Sequence, residues 1–169
     1  INEALAFYEK SLSINPNTIQ TLLNISMCYQ SLGKFDEAKK HLNTLLKIDP
    51  KFTTADRLIS SMTKYKEGND HFNDMIKKTQ VKLDDFQFAN LLFALGKAFE
   101  DLKEYDQSFK NYKQANDLLK KIFSFKIYDE KQNFENIKKI FLNNSEKNIF
   151  KDSRKLIFII GMPRSGTSL

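Results

Sequence analysis

The stretch that decides the fold is IQTLLNISMCYQSLGKFDEAKKHLNTLLKIDP, residues 19–50. Apolar side chains recur every three or four residues on both sides of Gly33, which is typical of two amphipathic helices joined by a short turn. Ser26 and Ala38 are small enough to let two helices approach closely, and Pro50 ends the second one because the residue before a proline is pushed out of the α region. The stretch therefore predicts an antiparallel pair of helices.

The same pattern returns along the chain at intervals of 34 residues. Four positions near the start recur 34 positions later, where Ala4, Tyr8, Leu12 and Pro16 correspond to Ala38, Leu42, Leu46 and Pro50. A further copy over 89–122 places in the same register Leu92, Leu95, Gly96, Phe99, Tyr105, Tyr112 and Ala115, with Ser108 at the small position of Ala38. This period and this order of small and large residues resemble the tetratricopeptide repeat, a pair of antiparallel helices.

The resemblance implies an all-α solenoid of antiparallel helix pairs over residues 1–124. Its parts are a partial repeat at 1–16, a repeat at 17–52, a degenerate repeat at 53–88 and a repeat at 89–122. The degenerate repeat keeps helical periodicity without the consensus residues, and Gly68 marks a turn within it. Since each hairpin buries its apolar face only against its neighbours, we expect the following side chains to be mostly buried: Tyr29, Phe35, Leu42, Phe99 and Tyr112.

The resemblance also implies a protein or peptide partner bound on the concave side, which the first helix of each repeat lines. The side chains expected to face the partner are Gln20, Leu23, Met27 and Gln30 in one repeat, and Asn90, Phe93, Lys97 and Glu100 in another. A mixed polar and apolar face is common to these solenoids whether or not they bind anything, so residue types alone leave the partner open.

Residues 125–155 are predicted to form a helical connector. Phe134, Ile137, Ile140 and Phe141 make one apolar helical stripe in it. The segment 110–155 holds twelve Lys and Arg against six Asp and Glu, which accounts for the net charge of +6 of the chain. Either this is an ordinary solvated surface, or it adds positive potential beside an anionic ligand.

The last fourteen residues, LIFIIGMPRSGTSL at 156–169, have a different character. Residues 156–160 predict a fully buried strand of a parallel sheet. A glycine-bracketed turn from Gly161 to Gly166 follows, and a helix start after such a turn offers backbone N–H groups to an anion. The spacing matches the nucleotide-binding P-loop, but Thr167 stands where that motif requires Lys, so an ATPase or GTPase is not expected.

The loop GMPRSGTSL, residues 161–169, instead resembles the 5′-phosphosulfate-binding loop of sulfotransferases, in the Pro-Arg-Ser-Gly-Thr form of the tyrosylprotein and bacterial enzymes. This resemblance implies 3′-phosphoadenosine 5′-phosphosulfate as co-substrate and no metal. Arg164 would act in catalysis and hold the phosphosulfate, with Ser165, Gly166, Thr167 and Ser168 completing the binding loop. The alternative is that this string is only a turn between a strand and a helix.

Repeats followed by this loop resemble bacterial proteins in which tetratricopeptide repeats precede a sulfotransferase domain. We therefore expect a fragment cut at both ends, an all-α solenoid followed by the truncated start of an α/β domain at 156–169. It would be inactive by itself, because the general base and the 3′-phosphate site would follow Leu169. Its acceptor is unknown, since nothing in these residues distinguishes a protein tyrosine from a sugar hydroxyl or a small molecule. The alternative function is a non-catalytic protein-binding scaffold.

Composition excludes several other classes of protein. Cys28 is the single cysteine of the 169 residues, so there is no internal disulfide framework. His41 and His71 lie far apart without ligand spacing, which predicts no metal site. No apolar run approaches the roughly 20 residues of a membrane span. Basic residues are interleaved with acidic ones, which argues against nucleic acid. We expect a cytoplasmic protein.

Overall fold

A computed structural model describes residues 1–123 and 126–144 of the chain. Within these ranges the secondary structure is entirely helical, which confirms the predicted all-α solenoid region. The eight helices are α1 Asn2–Ile14, α2 Ile19–Ser31, α3 Phe35–Ile48, α4 Thr53–Ser61, α5 Asp70–Lys78, α6 Asp85–Asp101, α7 Tyr105–Ile122 and α8 Ile127–Asn144. The strand and loop predicted at 156–169 lie outside the described residues.

Residues 1–125 form one compact unit, and residues 126–169 form a second. In the first unit, the helices α2, α4 and α6 begin at residues 19, 53 and 85, close to the period of 34 read from the sequence. Helix α2 packs on α3 and α6 packs on α7 as hairpins, while α4 packs mainly on α6 of the following repeat. Helix α8 belongs to the second unit and lies within the predicted connector.

Two hydrophobic clusters form the core of the first unit. One is centred on Leu22, Leu42, Leu45, Ala55 and Ile59, and the other on Tyr65, Met75, Leu91, Ala94, Leu95 and Ala98. Leu42 is fully buried, as predicted, and the rings of Tyr29, Phe99 and Tyr112 are half-buried. The prediction for Phe35 is wrong, since 47% of it is exposed. Phe35 is the first residue of α3, so no preceding helical turn covers its ring.

The turns between helices follow from local chemistry. Gly33 between α2 and α3 has a φ of +72°, a left-handed conformation that glycine adopts without steric cost, and Gly68 before α5 has a φ of +76°. Lys103 takes the same left-handed conformation between α6 and α7. Asn69 then begins α5 as its N-cap, with its side chain accepting a hydrogen bond from the backbone N–H of Phe72 at 3.1 Å.

Candidate partner-binding surface

The first helices of three consecutive repeats are α2, α4 and α6, and their exposed sides together form one surface of mixed polar and apolar side chains. We call it the first-helix surface; its residues are Gln20, Leu23, Met27 and Gln30 on α2, Arg57 and Ser61 on α4, Lys64 just after α4, and Phe93, Lys97 and Glu100 on α6. Met27 is 49% exposed, and Gln20, Arg57, Ser61, Lys64 and Glu100 are exposed as well.

Side chains link neighbouring first helices directly. Gln30 Nε2 donates a hydrogen bond to Ser61 Oγ at 3.1 Å, and this contact joins α2 to α4. Lys97 Nζ donates to the carbonyl oxygen of Thr63 at 3.2 Å, which joins α6 to the segment after α4. Apart from Asn90, the residues predicted to face a partner on α2 and α6 are therefore parts of one continuous surface. Arg57 and Ser61 on α4 also belong to this surface. The sequence did not predict them, because the degenerate repeat lacks the consensus residues.

One residue predicted to face the partner does not. Asn90 is only 3% exposed. Its Oδ1 accepts a hydrogen bond from Arg57 Nη1 at 3.1 Å, and its Nδ2 donates to the carbonyl oxygen of Phe86 at 3.1 Å. The prediction for Asn90 is thus wrong, because the side chain is used inside the solenoid to orient an arginine of the preceding repeat.

Arg57 lies over the ring of Phe93, with the guanidinium carbon 4.2 Å from the ring centroid. This cation–π contact and the hydrogen bond to Asn90 fix the orientation of the guanidinium. The two groups border a pocket of about 180 Å³ on the first-helix surface, lined also by Ser60, Ser61, Lys97 and Tyr112. The pocket therefore combines an oriented cation with an aromatic wall.

Asp101 neutralises the other cations of this surface. Its carboxylate accepts hydrogen bonds from Lys97, from Lys64 Nζ at 2.8 Å and from the backbone N–H of Tyr65 at 2.9 Å. Burial alone would raise the pKa of the Asp101 carboxyl, but these three donors outweigh it and lower the pKa to about 2. Two lysines thus share one carboxylate.

The ring of Tyr112 closes the pocket from α7. It lies 6.2 Å from Phe93 between ring centroids, and its hydroxyl is 3.4 Å from Glu100 Oε2. Burial and the Glu100 carboxylate raise the pKa of Tyr112 to about 12. The ring packs directly on Gly96, where an added Cβ would lie 2.8 Å from two ring carbons. Glycine at 96 therefore allows the aromatic wall to form.

A buried polar network lies behind this surface, in the degenerate repeat, and the periodic pattern of the sequence did not predict it. Asp56 is fully buried and accepts hydrogen bonds from Lys78 Nζ at 2.7 and 2.8 Å. His71 Nε2 lies 3.1 Å from Asp56 Oδ1, and His71 Nδ1 lies 2.7 Å from the hydroxyl of Tyr65. The Tyr65 hydroxyl is 2.8 Å from Ser60 Oγ, and burial raises the pKa of Tyr65 to about 12.

The one sequence signal for this network was a charge at a core position. Leu22 precedes Asp56 by 34 residues and is buried in the adjacent hydrophobic cluster. An aspartate at the equivalent position must find partners, because an unpaired charge in the interior is very costly. Lys78 and His71 on α5 are those partners, so this network attaches the short helix α5 to α4.

A larger groove of about 650 Å³ lies between α3 and α5, which are the second helices of their repeats, and so lies apart from the first-helix surface. Its lining residues include Asn43, Leu46, Lys47, Asp70, His71, Asp74, Lys77 and Lys78. Lys77 is paired with Asp74 at 3.1 Å and Lys78 with the buried Asp56, so both α5 lysines are already neutralised. The groove is confined to two helices, whereas the first-helix surface crosses three.

The residues predicted to hold a phosphosulfate, Arg164, Ser165, Gly166, Thr167 and Ser168, lie outside the described residues. Among the residues that are described, no group of three His, Cys, Asp or Glu side chains could hold a metal ion. No described helix is both long and apolar enough to cross a membrane.

The fold is that of a helical-repeat protein, in which antiparallel helix pairs stack at a period near 34 residues. Family models of the tetratricopeptide repeat match residues 1–61 and 89–118, so the chain carries tetratricopeptide repeats, as predicted. The stretch between these matches holds α5 with His71 and Lys78 of the buried network, whereas Asp56 lies within the first match.

Twelve chains of known structure match this one. Among them, MamA aligns at 20% sequence identity with a TM-score of 0.53, over 68% of this chain and 66% of the MamA chain. The chain thus spans just under two thirds of the length of MamA, and the likeness concerns the fold. No curated protein matches in sequence.

Proposed function

We propose that the repeats form a scaffold that binds a protein or peptide segment along the first-helix surface. The observation that carries the proposal is the continuity of this surface across α2, α4 and α6, held by side-chain contacts between successive repeats. Tetratricopeptide repeats typically bind protein partners, and exposed apolar side chains such as Met27 offer area that a partner can bury.

A random peptide library selected against the full chain, followed by calorimetry of a selected peptide, tests this function. Met27→Glu adds a charge at the centre of the first-helix surface and should weaken binding by at least about tenfold, since burying an unpaired carboxylate is costly. Phe109→Glu is the matched control, because Phe109 on α7 is 71% exposed and outside this surface. A loss with Phe109→Glu and none with Met27→Glu would place the binding surface elsewhere.

A second function is supported by a specific sequence observation, the loop GMPRSGTSL after an apolar run of five residues. We propose that this loop belongs to a sulfotransferase domain, which would transfer a sulfuryl group from 3′-phosphoadenosine 5′-phosphosulfate to an acceptor hydroxyl. Arg164 would bind two oxygens of the phosphosulfate through its planar fork, and Ser165 to Ser168 would supply backbone and hydroxyl donors. The repeats would then position the acceptor or a partner protein.

Titration of the full-length protein with 3′-phosphoadenosine 5′-phosphate tests the second function, because this product keeps the phosphate that the loop would bind. Arg164→Ala should bind it more weakly than the wild type, by about 2–3 kcal/mol. Arg154→Ala, an arginine outside the loop, should bind it normally. Absence of binding to the wild type would refute the sulfotransferase proposal and would leave the scaffold proposal untouched.

A further inference from the structure

We propose that a series of hydrogen bonds through the degenerate repeat transmits the protonation state of His71 from the groove between α3 and α5 to the pocket beside Arg57. This series joins Ser60, Tyr65, His71 and Asp56, and we call it the hydrogen-bond relay. It makes that pocket of the first-helix surface sensitive to pH. The inference concerns a device within the fold and does not depend on which partner the repeats bind.

The relay runs between two separate cavities. His71 lines the groove of about 650 Å³ between α3 and α5, and 18% of its side chain is exposed there, so water reaches the imidazole. Ser60 lines the pocket of about 180 Å³ on the first-helix surface, although the residue itself is buried. The hydroxyl of Tyr65 lies between them, 2.7 Å from His71 Nδ1 and 2.8 Å from Ser60 Oγ. Hydrogen bonds thus connect the groove with the pocket.

The carboxylate of Asp56 sets the direction of these hydrogen bonds while His71 is neutral. An ionised carboxylate only accepts, and Asp56 already accepts from Lys78 Nζ at 2.7 and 2.8 Å. His71 Nε2, 3.1 Å from Asp56 Oδ1, must therefore carry the proton of the neutral imidazole, which leaves Nδ1 as an acceptor. Tyr65 then donates to Nδ1, and Ser60 donates to Tyr65.

Protonation of His71 reverses the relay. An imidazolium donates from both nitrogens, so the Tyr65 oxygen must accept from Nδ1, and the Tyr65 O–H turns toward Ser60. The Ser60 hydroxyl then has a second acceptor within reach, Met75 Sδ at 3.7 Å. Each hydroxyl keeps a partner in both directions, so the relay has two satisfied states that differ by one proton.

The Tyr65 hydroxyl can serve in both states because it keeps its own proton. Burial raises the pKa of Tyr65 to about 12, so the phenol stays neutral between about pH 5 and pH 8, the range in which an unperturbed imidazole titrates. The titratable groups that face His71 or the rest of the relay are Asp56 on α4, Tyr65 after α4, Asp101 on α6, Lys47 on α3, and Asp70, Asp74, Lys77 and Lys78 on α5. Carboxyl, phenol and ammonium groups ordinarily titrate outside this range. The imidazole of His71 is therefore the group that switches the relay.

A pH titration of the ¹⁵N,¹³C-labelled full chain from about pH 8 to pH 5, followed by NMR, tests the proposal. At the upper pH we expect the imidazole of His71 to carry its proton on Nε2, with Nδ1 unprotonated. As the pH falls, the imidazole nitrogens, the ring of Tyr65 and the Cβ of Ser60 should shift with one midpoint, since one proton reverses every bond between them. This measurement on the wild type needs no variant.

Variants separate the relay from a direct effect of the charge. Tyr65→Phe removes the middle hydroxyl, so His71 should still titrate while the shift of Ser60 is lost. His71→Gln removes the titrating group and should also abolish the shift of Ser60. His41→Gln is the matched control, because it removes the other histidine of the sequence, which stacks on Tyr29 at 5.6 Å between ring centroids and takes no part in the relay. It should leave the shift of Ser60 unchanged.

Several results would overturn the proposal. One is a proton on Nδ1 rather than Nε2 of His71 at the upper pH, and another is an imidazole that keeps one state throughout the titration. A Ser60 resonance that stays still while His71 titrates would exclude the relay. A Ser60 shift as large in Tyr65→Phe as in the wild type would show that the charge acts through space instead. Loss of this shift in His41→Gln would assign the effect to the other histidine.

Discussion

At the scale of single residues, Asp56 is the clearest departure from a regular repeat. It stands where Leu22 stands one period earlier, and it is fully buried against the ammonium group of Lys78 and the imidazole of His71. A buried ion pair of this kind is sensitive to the loss of one partner, because the remaining charge is left without compensation. The same principle says that replacing both charges by apolar groups costs little.

Asp56→Leu should therefore lower the free energy of unfolding by about 3–5 kcal/mol, and the double variant Asp56→Leu/Lys78→Met should recover most of that loss. His71 retains access to water in the double variant, since 18% of its side chain is exposed. Urea unfolding measures both values. Asp74→Ala, which removes an exposed ion pair with Lys77, is the control and should cost less than about 1 kcal/mol. A double variant as unstable as Asp56→Leu would contradict this account of the network.

At the scale of helices, the close approach of α6 and α7 depends on Gly96. Gly96→Ala should lower the free energy of unfolding by about 1–3 kcal/mol, because the methyl group would overlap the ring of Tyr112. In a Tyr112→Ala background the overlap is gone, and Gly96→Ala should instead stabilise by about 1 kcal/mol through its higher helix propensity. Chemical denaturation of the four proteins checks the change of sign. Stabilisation by Gly96→Ala in the presence of Tyr112 would show that the ring moves aside freely.

Asp101, the last residue of α6, should make the free energy of unfolding depend on pH in the acidic range. The donors around the Asp101 carboxyl lower its pKa in the folded state to about 2, below its ordinary value of 3.8, so its contribution to stability is complete above about pH 5 and is lost as the pH falls toward 2. We expect Asp101→Asn to remove on the order of 1–2 kcal/mol at pH 7 and to flatten the curve of unfolding free energy between pH 5 and pH 2. Parallel curves for wild type and Asp101→Asn would exclude Asp101 as a source of the acid sensitivity.

Sequence alone predicted the helices that carry consensus residues. The hairpins α2–α3 and α6–α7 follow from small residues such as Ser26 and Gly96, from the 34-residue period and from the turn at Gly33. The buried network could not be predicted, because its hydrogen bonds join residues 5 to 22 positions apart whose burial no periodic pattern reveals. For the same reason the sequence did not predict Arg57 on this surface. Asn90 was predicted to face the partner, although its side chain is buried and accepts a hydrogen bond from Arg57.

At the scale of the whole molecule, the degenerate repeat joins two regular ones. Helices α4 and α5 have nine residues each, against 13 to 18 in the other described helices. Despite its short length, α4 supplies Arg57 and Ser61 and so keeps the first-helix surface continuous. A partner bound along the first-helix surface must therefore contact α2, α4 and α6 together.

Amide chemical-shift mapping of the ¹⁵N-labelled full chain with a library-selected peptide tests this requirement most directly. We expect shifts to appear together on all three first helices, at residues such as Met27, Ser61 and Phe93, and to saturate at one peptide concentration. Shifts confined to the groove between α3 and α5, at residues such as Lys47 and Asp74, would contradict it.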